Sequence, residues 1–228
     1  MRFRNAVNPN FHYFFLINYD QSVSGGNQNA PGPVPVLGPT NSNQGYGNGF
    51  ATGSGGSAFG FTDFVKYENN TFRLVHVVGD PTISNFVDEG QPIAFTLPNA
   101  GDPTVLQFSI DLAQIVVQPN GAAAADPTQA VAQAKAIRWL QMNIVATDVI
   151  PVNQTTIVNK QVDSLGDTRT LTGASSFLDL DMSQFQTYTN QSFAGQAVFE
   201  PADNDVFGSA NPDPSLDLID YSITVVQQ

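Results

Sequence analysis

The chain has 228 residues, which suits one large all-β domain or two small domains. Only 12% of residues are charged, and 8 Lys+Arg stand against 20 Asp+Glu for a net charge of -12. With no basic stripe to displace counterions from phosphates, nucleic acid and anionic membrane surfaces are excluded as partners. The absence of Cys excludes disulfides, thiol nucleophiles and thiolate metal sites.

Residues 1–10 (MRFRNAVNPN) contain no long apolar run, so no signal peptide is expected in the chain as given. Pro9 lacks a donor and holds Asn8 extended, which sets Arg2, Phe3, Arg4 and Val7 apart as an N-terminal arm. The main domain is expected over 11–228. It begins with FHYFFLINYD at 11–20, where Tyr13, Phe15 and Ile17 alternate with Phe14 and Leu16. A strand apolar on both faces belongs in the middle of a sheet covered on both sides.

Residues 21–60 are rich in Gly, Pro, Asn and Ser but carry apolar side chains, so a long ordered loop is expected there. A hairpin is expected over 62–67 and 71–78, turning at Asn69 and Asn70, since Asn tolerates the left-handed conformation. Further strands are expected at 92–97 and 105–115, joined by a marked turn at 98–103. Asp126 as N-cap, Pro127 at the first position and Gln129 for a capping box predict one short helix over about 127–134. A half-buried strand is expected over 136–147, then strands at 154–162, 177–182, 196–199 and 216–226, with an acidic loop at 200–215. Many short strands with one helix predict an all-β, sandwich-like or jelly-roll-like single domain.

Candidate chemistry is sparse. His12 and His76 are the two histidines, and on strands they are expected as hydrogen-bonded structural residues unless they meet at a metal. The glycines at 45–60 lack the Lys or helix start of a phosphate loop. The acidic residues gather in clusters, Asp179 with Asp181, then Asp203 with Asp205, then Asp213, Asp217 and Asp220. Carboxylates converging from loops suit calcium, so Asp203, Asp205, Asp213 and Asp217 form a candidate structural calcium set; no other cofactor is expected. Asn69, Asn153 and Asn190 open glycosylation-type triplets, which chance supplies readily in so Asn-rich a chain.

FRNAVNPNFHYFFLINYD, GPVPVLGP, GNGFATG and TDFVKYENNTFRL, with NIVATD and VDSLG later, resemble segments of uncharacterised exported bacterial proteins. The aromatic opening strand is similar to that of DOMON-like and other carbohydrate-binding sandwiches. The resemblance implies a β-sandwich and permits ligand binding, and it transfers no site residue. The expected function is a non-enzymatic structural subunit of a surface or extracellular assembly, a filament, tube or sheath. In it the arm adds as a strand to a neighbouring copy. The alternatives are a carbohydrate-binding module, with Tyr46, Phe50, Phe59 and Trp139 stacking on sugar rings, and a viral capsid or tail subunit.

Overall fold

The computed structural model describes residues 1–19, 33, 61–77, 86–116, 126–149, 161–169 and 176–226. The expected loop at 21–60, apart from Pro33, lies outside these residues, together with Tyr46, Phe50, Phe59, Asn153 and most of the expected strand at 154–162. Among the described residues there are thirteen strands, all paired antiparallel, and two α-helices. The all-β expectation therefore holds.

The strands are β1 (Arg2–Phe3), β2 (His12–Asn18), β3 (Asp63–Glu68), β4 (Thr71–Val77), β5 (Phe86–Gly90), β6 (Ala94–Thr96) and β7 (Gln107–Ser109), followed by β8 (Trp139–Thr147), β9 (Val162–Ser164), β10 (Leu178–Asp181), β11 (Gln186–Thr189), β12 (Leu218–Asp220) and β13 (Ser222–Val225). The main sheet has seven strands, in the order β10-β8-β2-β3-β4-β5 with β9 also on β8. Three two-stranded sheets, β1-β12, β6-β7 and β11-β13, supply apolar residues to the same core.

β2 is interior to the main sheet, as its composition demands. Its register sets rows across one face: Ala146, Tyr13, Tyr67 and Phe72, then Ile144, Phe15, Val65 and Leu74. These rows face Phe3, Phe95 and Phe108 from the small sheets, with ring centroids 4.9 Å apart for Phe3 and Tyr13, 5.3 Å for Phe15 and Phe108 and 5.4 Å for Phe72 and Phe95. The opposite face is buried too, through Phe14, Leu16, Phe64 and Val145.

That burial corrects the half-buried reading of β8. Its polar positions are covered because their amides are matched: Asn18 Nδ2 donates to Gln141 Oε1, and Asn143 Nδ2 donates to the carbonyls of Pro33 and Ser176. Asn143 Oδ1 accepts from Leu165 N. Asn143 sits where the outer edge of β8 changes partner from β10 to β9, and its side chain fills the break in the ladder.

The β3–β4 hairpin turns at Asn69 and Asn70, whose φ values of 50 and 61 are the left-handed pair that a two-residue turn requires. Helix α2 (Pro127–Ala136) starts as expected, with Asp126 accepting from Thr128 N. The capping box is elsewhere. Asp111 accepts from Ala113 N, and Gln114 Oε1 accepts from Asp111 N, so the expected strand at 105–115 ends at β7 and closes in a helical turn, α1 (Leu112–Ile115). The expected strand at 196–199 is a turn in the structure, and the strand β11 was not foreseen. The last strand divides at Tyr221, so that β12 pairs with β1 and β13 pairs with β11.

The N-terminal segment does not stand apart from the fold. Arg2 lies opposite Asp220 and also bridges Val105, while Phe3 N donates to Thr104 O and Val7 N donates to Pro103 O. Phe3 is 1% exposed. Pro9 separates the arm from β2, as expected. Phe3 docks on Tyr13 because burying its ring in its own core outweighs leaving it in water, by about 2 kcal/mol.

Candidate metal centre

The two histidines occupy different places. His12 Nδ1 donates to Glu68 Oε2 at 2.7 Å, and Lys66 shares that carboxylate. The His12 hydrogen bond, then Lys66, holds Glu68 down at about 2. His76 Nδ1 donates to Asp63 Oδ1 at 2.8 Å on the other face of the sheet, and burial pushes Asp63 up to about 6. Five positions of β3 separate the two carboxylates, roughly 16 Å of strand, so the histidines share no site.

A third group of carboxylates lies between the layers. Asp163 is on β9 of the main sheet, opposite Ala146 and on the core side. Asp217 precedes β12 in the second layer, and Asp205 comes from the loop that bridges Val162 through Phe207. Each is fully buried, and each offers an oxygen within 4.8 Å of the others. Glu200, also buried, stands near enough for Asp163 and Asp205 to repel it.

The donors around this group are few. Asp163 is satisfied, with Oδ1 accepting from Ser164 N and Thr168 Oγ1 and Oδ2 accepting from Leu218 N at 2.6 Å. Asp205 Oδ2 accepts from Thr168 N, Glu200 Oε2 from Gly166 N, and Asp217 Oδ2 from Arg4 Nε. Among the described residues, the second oxygens of Asp205, Asp217 and Glu200 are buried and find no donor. Burial, joined by repulsion from Asp217, pushes Asp205 up to about 7 although the Thr168 N–H opposes it. Burial and then Asp205 raise Asp163 well above the usual carboxylate range, and burial with Asp163 does the same to Glu200. Asp217 is raised by burial against the pull of Arg4. Such a group has two ways to settle its charge, by holding protons or by holding a cation.

The structure brings together two of the four residues expected for calcium. Asp205 and Asp217 are in the cluster. Asp203 is half exposed and takes Arg169 Nη2 at 2.5 Å, and Asp213 accepts from Ser215 N and Oγ in a turn. Both lie outside the cluster, because Asp203 is turned to Arg169 at the surface and Asp213 is closed on its own Ser215 turn. Asp163 and Glu200 were missed; the VDSLGDT stretch reads as a turn, and only the fold carries it to Asp205. Trp139 is partly exposed at the start of β8, opposite Asp181. Asn190 is buried, with both side-chain atoms bonded to the Glu200 backbone, so its glycosylation-type triplet is a structural clasp. Asn69 stays exposed at the hairpin tip. Among the described residues no helix is long and apolar enough to cross a membrane.

No family model, curated protein or solved structure matches the chain.

Proposed function

We propose that the protein is a non-enzymatic structural subunit of a surface or extracellular assembly, in which copies of the chain are joined by exchange of the N-terminal arm. The observation that supports this reading is the clasp of β1 on β12. Phe3 and Val7 are anchored through backbone groups of 103–104 and 217–220 and through Tyr13, all on the body of the domain. The same body surface on a second copy offers the same donors, acceptors and ring, so exchange keeps every contact and needs movement only around Asn8 and Pro9. An exchange that does not close into a ring propagates as a filament. The net charge of -12 then makes Arg2 and Arg4, which meet Asp102 and Asp217, the cationic partners that carry one copy to the next.

The chain has no Cys, so a disulfide reporter is clean. Arg2→Cys with Asp220→Cys places two thiols at facing positions of β1 and β12. Oxidised at rising protein concentration, this double variant is expected to give covalent multimers on a denaturing gel. Ordered polymers of the unaltered chain are expected by electron microscopy. A monomeric band at every concentration, with dispersed single particles of the unaltered chain, overturns the proposal.

A further inference from the structure

The carboxylate cluster between the sandwich layers carries an inference that is independent of whether copies assemble. The geometry points to a binding site for one hard divalent cation, calcium by its donor set, held by Asp163, Asp205 and Asp217 with Glu200 beside them.

Three observations lead there. The first is arithmetic. Among the described residues, four buried carboxylates meet one cation, Arg4, whose Nε already serves Asp217 Oδ2. Placing several carboxylates out of water with so little countercharge costs far more than the hydrogen bonds around them return. A divalent ion removes most of that excess without any rearrangement of the surrounding N–H donors.

The second is the set of unsatisfied atoms. Asp205, Asp217 and Glu200 come from separate segments, and each uses one oxygen on a donor and leaves the other buried and bare. Buried polar atoms in folded proteins nearly always find partners, so the bare oxygens of Asp205 and Asp217, whose carboxylates meet, and of Glu200 beside them mark a missing one. The spread of the Asp163, Asp205 and Asp217 ligand atoms, within 4.8 Å, falls inside the about 5 Å that separates oxygens on opposite sides of a calcium ion.

The third is the chemistry of the donors. They are all oxygen, which disfavours zinc and copper, and the two histidines are engaged elsewhere with Glu68 and Asp63. Magnesium keeps several waters and a strict octahedron, whereas these carboxylates are fully closed off. The ion joins the main sheet at Asp163 to the second layer at Asp217, and draws in the 200–205 loop. In doing so it fixes the strand against which Arg2 and Phe3 lie.

The test uses the full chain. Thermal unfolding is followed by circular dichroism in millimolar calcium, in millimolar magnesium and in chelator, beside a calorimetric titration with calcium chloride at neutral pH. Calcium is expected to raise the melting temperature by several degrees and magnesium much less, with one ion taken up per chain and protons released on binding. Asp205→Asn keeps the side-chain volume and an acceptor for Thr168 N. It is expected to lose the calcium response, and in chelator to melt no lower than the unaltered chain because one unpaired charge is gone. Asp203→Asn, outside the cluster, is expected to keep the full response. Equal melting in calcium and chelator with no heat of binding in the unaltered chain overturns the inference, and means that a proton shared between Asp205 and Asp217 fills the site. A response lost in Asp203→Asn and kept in Asp205→Asn overturns it as well. The unaltered chain decides the matter even if Asp205→Asn fails to fold.

Discussion

Two buried regions of this molecule lie within one sandwich and are stabilised on opposite principles. Around Tyr13, Tyr67, Phe72, Phe95 and Phe108 the space between layers is filled by rings in edge and tilted contact. Around Asp163, Asp205, Asp217 and Glu200 the same kind of space is filled by carboxylates. The aromatic region stabilises the fold under nearly all conditions, because removing apolar surface from water depends little on pH or salt. What the carboxylate region contributes depends on how its charge is settled, by protons or by a cation. The contrast teaches that depth of burial and contribution to stability are separate quantities.

The sharpest way to break the comparison is to empty the aromatic side. Phe72→Ala removes a ring that touches Tyr67, Phe95 and Phe108 and leaves a cavity at the junction of the layers. A loss of about 3–5 kcal/mol is expected in urea unfolding, the same in calcium and in chelator. A loss that depended on calcium would mean that the two regions are coupled.

A smaller effect comes from the charge that intrudes on the apolar side. Asp63 stands in the row of Met142, Ile17 and His76, and burial raises it to about 6. Its folded value lies above its unfolded one, so the folded state binds the extra proton between about pH 4 and pH 6. The associated stability is complete below pH 4 and is lost as pH rises through 6. Asp63→Asn is expected to flatten that part of the stability profile, leaving the variant more stable than the unaltered chain at neutral pH by on the order of 2 kcal/mol. An unchanged slope across that range would count against the burial of an ionisable Asp63.

The smallest effects separate two arginines of the same arm. Arg4→Ala strips a cationic partner from buried Asp217 and is expected to cost ~1.5 kcal/mol in chelator. Arg2→Ala loses an ion pair with Asp102 that is about half exposed on both sides, and is expected to change stability by less than ~0.5 kcal/mol. Equal losses for the two would show that Asp217 does not depend on Arg4.

The aromatic half was legible in the sequence and the carboxylate half largely was not, for physical reasons. Two-faced burial writes itself into a strand, and His12–Asn18 carries it residue by residue. A tight turn needs positive φ, and Asn69 and Asn70 advertise that locally. The capping of α2 by Asp126 is local as well. The Asp111 to Gln114 box that ends β7 was equally local, but the alternation of Leu106, Phe108, Ile110 and Leu112 concealed it. The carboxylate cluster has little local signal. Asp163 and Leu218 are joined across 55 positions and Asp205 and Thr168 across 37, by hydrogen bonds that exist only once the layers meet. The spacing of Asp203 and Asp205 drew attention to the correct loop, and burial chose between them.

The meeting of β1 with β12 also has a consequence for the order of synthesis. Arg4 and Asp217 are 213 positions apart, and closing so long a loop from an unstructured chain costs about 5 kcal/mol. The intervening sheet must therefore form first and carry the two ends together. During synthesis β1 therefore waits for residues 217–220, and the edge of Arg2–Phe3 that pairs with β12 stays open until they appear. For the arm exchange proposed above, that is the stage at which an arm without its own strand would meet a neighbouring nascent chain.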